Sequence, residues 1–292
     1  DFEREADRLG YQTLEKAGFD VHGMGDFFDR LQKAGRLYEN NAPVYLRSHP
    51  LTLERLSDMQ NRAQESPYKQ VVSNLDFYLI RAKLRAFNGT ARDAVTDFET
   101  QLKEKKYVSA PAVHYGLAVA YMRAKNPEAA QREMDAVRAL KVASPLIAGL
   151  SGDIRAAVGD FSGAAAIFRE ALQRFPQSKS LVYGYIHALH AGKQFEPALV
   201  FLESQLQLSF ADPLLYALQA KTYAALGRRL QQHRAQAEAY VLQGQLGAAV
   251  EQLQFAQQST DGNFYEMSAV DARLRELRKL QAEEAKQKRA GW

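Results

Sequence analysis

The chain has 292 residues, 46% of them hydrophobic and 25% charged, enough for two ordinary hydrophobic cores. Cysteine is absent, which excludes disulfides and cysteine-ligated zinc and suits an oxidising compartment. No run approaches the ~18–20 apolar residues of a membrane-spanning helix, and the N-terminus lacks the basic, apolar and small-residue order of a signal peptide.

Residues 1–66 come first. Glu3 and Asp7 lie four apart on one face of a predicted helix. That spacing lets one carboxylate bind a metal while the other orients a second ligand, and it serves a solvated acidic pair equally well. Met24, Phe27, Phe28 and Leu31 follow at helical spacing, and then the run His49-Pro50-Leu51-Thr52-Leu53-Glu54-Arg55. By position alone His49 reads as a helix-start histidine and Arg55 as half of a surface ion pair. Nothing here matches the pattern that follows, so a separate unit is expected over 1–66 and a second over 67–292.

The second unit is periodic. Small residues recur at Ala82, Ala118, Gly152 and Ala220, with Ile186 in the slot between the last two, in steps of 36, 34, 34 and 34. A second series, Ala94, Ala130, Ala164 and Ala198, keeps the same step. Turn residues separate the two series at Asn88-Gly89, Lys125-Asn126-Pro127, Gly159-Asp160 and Gly192-Lys193, where Gly or Asn ends a helix and Pro opens the next. The unit is a helix-turn-helix. Gly152, Gly159-Asp160-Phe161, Ala164, Phe168, Ala171 and Pro176 resemble the tetratricopeptide consensus, and the resemblance implies an all-α superhelix over residues of about 74 to 226.

The period slips at the end of the array. Gly244, Ala249, Leu253 and Ala256 read as the second helix of a repeat whose small first-helix position is Ala237, only 17 residues after Ala220. Either the helix near 228–243 serves two neighbours or the array closes with an irregular cap. Beyond it, seven Lys or Arg and three Glu from Arg273 onward carry the whole net charge of +4. No aromatic or base-reading pattern accompanies this basic helix, so nucleic acid is not an expected partner.

Stacked hairpins leave a groove lined by first helices, where solenoids hold extended chains. The repeat places Tyr115, Met122, Arg123, Tyr183, His187, His190 and Lys221 toward it. Tyr and Arg are favoured interface anchors, although such aromatics also serve packing between repeats. His187 and His190, three apart, share a face as metal ligands do, but no carboxylate completes a set.

Glu-x-x-Ala-Asp at Glu3 to Asp7, followed by His-Pro-Leu-Thr-x-Glu-Arg at His49 to Arg55, resembles the end of the catalytic domain in the Oma/HtpX/BepA-like zinc metallopeptidases. BepA-like members also carry tetratricopeptide repeats after the peptidase. The resemblance implies zinc as cofactor, Glu3 as a zinc ligand, Asp7 orienting a histidine ligand, His49 as a fourth, regulatory ligand, and Arg55 supporting the site or the oxyanion. It implies a periplasmic protein whose repeats bind clients in outer-membrane protein assembly and quality control. The sequence departs from the family in lacking His-Glu-x-x-His: its six histidines all follow Glu3. Because the chain opens at Asp1 without Met, the expectation is that it starts just downstream of the catalytic helix and is inactive alone. The alternative is a stand-alone adaptor with a degenerate, metal-free N-terminal segment.

Overall fold

Asn, Asp, Ser and Thr begin several of the repeat helices by accepting the first unpaired backbone N–H groups. Asn126, Asp160, Ser144 and Asp212 each cap a helix in this way, and Thr90 forms a reciprocal capping box with Asp93. A computed structural model describes residues 2–36, 53–67 and 73–290. Among the described residues there are fifteen helices and no strand, and the chain divides into two compact units, residues 1–74 and 75–292.

The first unit holds α1 (Phe2–Lys16), α2 (His22–Arg36) and α3 (Leu53–Glu65), with α1 and α2 both packed on α3. Leu56, Met59 and Ala63 recur at three- and four-residue steps, so α3 presents one apolar stripe. Leu56 and Met59 meet Tyr11, Val21 and Phe28 in a small core. The expected helix around Met24 to Leu31 is present, with Phe28 turned inward and Phe27 left exposed.

The second unit is the all-α superhelix. Its helices are α4 (Leu75–Ala86), α5 (Ala91–Glu104), α6 (Ala110–Arg123), α7 (Pro127–Ala139), α8 (Pro145–Ala157), α9 (Phe161–Arg174), α10 (Lys179–Ala191), α11 (Phe195–Leu208), α12 (Pro213–Ala225), α13 (Arg229–Leu242), α14 (Leu246–Gln257) and α15 (Phe264–Ala290). Both small-residue series are buried, as is Ile186. First helices stack on first helices, α4 on α6 and α8 on α10, while each also packs on its own partner. The aromatic rings of the second helices explain the glycines: Phe98 lies against Gly116, and Phe168 is held between Gly152 and Gly184.

Two sequence expectations are sharpened. At Gly192-Lys193 the left-handed residue is Lys193, at φ 57°, while Gly192 keeps an ordinary φ of −78°. At the array's end α13 packs as extensively on α12 as on α14, so one helix does serve two neighbours. Its buried alanines show how. Ala235 and Ala237 lie about 200° apart around the helix at roughly 100° per residue, and both are buried.

A Cβ at position 152 would sit 2.5 Å from the ring of Phe168, which is itself buried and has no room to retreat. Gly152→Ala is therefore expected to cost about 1–3 kcal/mol in thermal unfolding, as overpacking does. Lys125 and Lys193 hold left-handed backbone that favours glycine. Lys193→Gly is expected to be neutral or to gain up to about 1 kcal/mol in the same measurement.

Candidate functional site

In the first unit the charged residues of α1 and α3 face one another. The Arg55 guanidinium donates to both carboxylate oxygens of Asp7, at 2.6 and 2.8 Å, and lies 3.1 Å from Glu3 Oε2. Arg55 and Asp7 are only 10% and 8% exposed, whereas Glu3 is 37% exposed. Arg55 also lies over the Phe28 ring, 5.6 Å from its centroid. It is no surface ion pair. A charge taken out of water is tolerated only when paired and hydrogen-bonded, so Asp7 and Arg55 lock each other, and Glu3 takes the remaining arm of the fork.

Supporting contacts run alongside. The Arg4 side chain pairs with Glu54, and the Tyr11 hydroxyl donates to the Arg62 carbonyl at 2.8 Å. The structure thus brings Arg55 to Glu3 and Asp7, which lie 48 and more positions before it in the chain. His49 lies outside the described residues. A hydrolytic zinc site needs about three protein ligands, and no group of three or more His, Cys, Asp or Glu among the described residues converges on a metal position. Glu3 has the Arg55 guanidinium beside it. The described residues do not by themselves fit the ion.

In the second unit the residues expected in the groove have unequal surroundings. Tyr115, Met122 and Arg123 line a cavity of about 350 Å³, together with Leu146, Leu150 and Asp153. Tyr115 is buried there, and burial followed by the nearby Asp153 charge pushes its hydroxyl up to about 12. Arg123 binds the Ala86 carbonyl and, at 3.1 Å, the Gly89 carbonyl, and stacks on Phe87. It ties the end of α4 to α6. Tyr183 donates to Asp212 at 2.7 Å, beside Lys179, so it too joins neighbouring repeats. Asp212 is the shared residue that the sequence pattern missed; a helix-capping Asp ahead of Pro213 was the available signal.

His187 and Lys221 are exposed, whereas His190 is buried. Thr222 Oγ1 donates to the Leu218 carbonyl at 2.7 Å and therefore accepts from His190 Nε2 at 2.8 Å. His190 Nδ1 is buried and, among the described residues, has no hydrogen-bond partner. Burial first, then the Lys221 and His187 charges, lowers the His190 pKa to about 4, and burial also lowers that of His187.

Residues 1–63 match the model of peptidase family M48, and residues 155–222 match that of the tetratricopeptide repeat. The "Beta-barrel assembly-enhancing protease" of Escherichia coli (strain K12) is 29% identical over 286 residues, 96% of this chain. The chain is a relative of the beta-barrel assembly-enhancing proteases. It spans 57% of the length of that relative. A "Putative beta-barrel assembly-enhancing protease" of Vibrio cholerae is 37% identical over 131 residues, 44% of this chain and 27% of the relative. Among solved structures, "MamA 41-end from Desulfovibrio magneticus RS-1" covers 59% of this chain and 97% of its own at 20% identity, with a TM-score of 0.44. In this chain a peptidase-family segment holding Glu3, Asp7 and Arg55 is followed by repeats.

Removing one partner of the buried pair leaves the other charge stranded. Asp7→Ala is expected to destabilise the first unit by about 3–5 kcal/mol, and Glu3→Gln by less than about 1 kcal/mol, since Glu3 is more exposed. Amide hydrogen exchange in α1 and α3 reads the difference. His190 titrates lower in the fold than its ordinary 6.5, so the fold favours the neutral ring. Its contribution is complete above pH 6.5 and is lost as pH falls from 6.5 toward 4, because the unfolded chain takes up the proton first. Melting temperature is expected to fall over that window, and His190→Gln is expected to flatten the fall.

Proposed function

We propose that this chain supplies the closing part of a zinc metalloendopeptidase domain and the repeats that bring polypeptides to it. The observation that carries the reading is the Arg55 fork, which fixes Asp7 and Glu3 on one face of α1 from across the unit. A carboxylate that serves as a metal ligand has to be held in place by its neighbours, and this is the arrangement that does so. In this reading Glu3 is one zinc donor, Asp7 orients a histidine donor, and Arg55 positions both carboxylates. His49 is the residue that occupies the open metal position and restrains hydrolysis. The remaining donors and the general base come from sequence outside these residues, so the chain by itself is inactive.

The name of the relatives, with the repeat match, supports a role in outer-membrane β-barrel assembly and a periplasmic location. The clients are outer-membrane proteins or their assembly machinery, held by the first-helix groove around Met122, His187 and Lys221. Among the described residues no helix is long and apolar enough to cross a membrane. The second reading is a metal-free adaptor, supported by the repeat match over residues 155–222, a fold that holds polypeptides without metal chemistry.

Metal analysis separates them. The full-length gene product is expected to hold about one zinc per chain and to degrade casein, as a catalytic zinc site requires. Glu3→Gln is expected to lower the zinc content and abolish cleavage, and the 292-residue chain alone is expected neither to hold zinc nor to cleave casein. A full-length Glu3→Gln variant that keeps its zinc and its activity refutes the ligand role; a full-length product with no zinc establishes the adaptor.

A further inference from the structure

The shared helix α13 has a consequence beyond packing. The last helix, α15, packs on α14 and reaches α13 through Arg273 and Glu266, and a cavity of about 330 Å³ opens over α13 between α12 and α15. Its walls carry Tyr216 and Tyr223 from α12, Gln231, Arg234 and Glu238 from α13, and Arg273 from α15. Ala235 and Leu253 form an apolar floor.

Most of the polar groups here are spoken for. Arg273 forms a two-point pair with Glu238 at 2.9 and 2.7 Å and a second pair with Glu276 at 2.8 Å. Gln231 Nε2 donates to Glu266 at 2.7 Å, which fixes its amide with the oxygen pointing away from that carboxylate. Three of the groups left over bear on a ligand. Arg234 is half-buried and, among the described residues, has no ion pair. The Tyr216 hydroxyl makes no hydrogen bond to them, and burial with the Glu238 charge raises its pKa, so it remains a donor at neutral pH. Gln231 Oε1 is fully buried and, among the described residues, has no donor. An unmet buried acceptor is costly, and a partly desolvated guanidinium without a counter-ion is a strong site for a carboxylate.

The leftover groups ask for one ligand chemistry. Arg234 and Tyr216 offer donors to an anion, and Gln231 Oε1 requires an N–H close to it. A glutamate or aspartate within an extended polypeptide presents both, a side-chain carboxylate and a backbone amide, with methylene groups for the Ala235 and Leu253 floor. A fully ionised phosphate ester presents acceptors alone. We propose that this cleft binds an acidic side chain of an extended polypeptide, with Arg234 as its counter-ion. The proposal rests on the repeats as a polypeptide-holding arm and is independent of the peptidase half of the proposed function.

The test uses the full 292-residue chain and fluorescence anisotropy with three pools of short labelled peptides, otherwise randomised over uncharged residues. The first has a fixed central Glu and blocked ends, the second a central Gln and blocked ends, and the third a central Gln with a free C-terminal carboxylate. The Glu pool is expected to bind about ten-fold more tightly than the blocked Gln pool. Arg234→Ala is expected to erase that preference, Arg234→Lys to keep part of it, and the exposed Arg229→Ala to leave it intact, all with unchanged helical circular dichroism. Equal binding of the two blocked pools, a preference that survives Arg234→Ala, or a preference for the free C-terminal carboxylate alone overturns the assignment. If no pool binds, the polypeptide-holding reading of the repeats falls with it.

Discussion

The repeats depend on how closely two helices approach at a small residue. Ala82, Ala118, Gly152 and Ala220 leave room on the first helices, and buried rings of the second helices, Phe98 and Phe168, fill the space. Protein interiors are packed too densely to absorb an added methyl without moving something, so the small positions and the rings hold each other to a fixed step. Bonds between repeats follow from that step. Arg123 reaches the carbonyls that end α4, and Tyr183 and Lys179 reach the carboxylate that caps α12. When the step is halved, the helix caught between two neighbours must be small on two faces, and α13 carries alanine on both.

The first unit solves a similar problem with charge. It has few large apolar residues, and α1 and α3 are joined as much by Arg55 on Asp7 as by Tyr11 against Leu56 and Met59. A buried ion pair is seldom the most stabilising choice for joining two helices, since replacing it by apolar residues of similar size is often neutral or better. Its value here is positional. The third arm of the fork lies at Glu3, which is exposed enough to take part in chemistry and is held on a rigid helix. That placement gives the peptidase reading a physical basis beyond similarity.

Legibility in the sequence followed the range of the interaction. The repeat step, the helix pairs and the half-step at Ala237 were all visible, because small residues at fixed spacing report local packing. Glu3 and Asp7 could be placed on one face from their spacing, but their link to Arg55 spans 48 positions and was reached only through a motif. The fates of Arg123 and His190 were not visible: one is spent on backbone carbonyls, which no side-chain pattern encodes, and the other on Thr222 in the next repeat. Gly192-Lys193 misled by one position, since the left-handed residue was the lysine. The cleft over α13 was hidden for a different reason. It exists only because α15 crosses where it does, and Gln231 and Arg234 look like ordinary polar helix residues in sequence.

The central claim is that the Arg55 fork holds Glu3 for a metal, and the most direct measurement is a crystal structure of the full-length gene product with anomalous data at the zinc edge. The account predicts zinc bound by a Glu3 carboxylate oxygen at about 2.0–2.2 Å, with Arg55 still seated on Asp7. Zinc bound elsewhere in the chain, with Glu3 left on Arg55 alone, would contradict it.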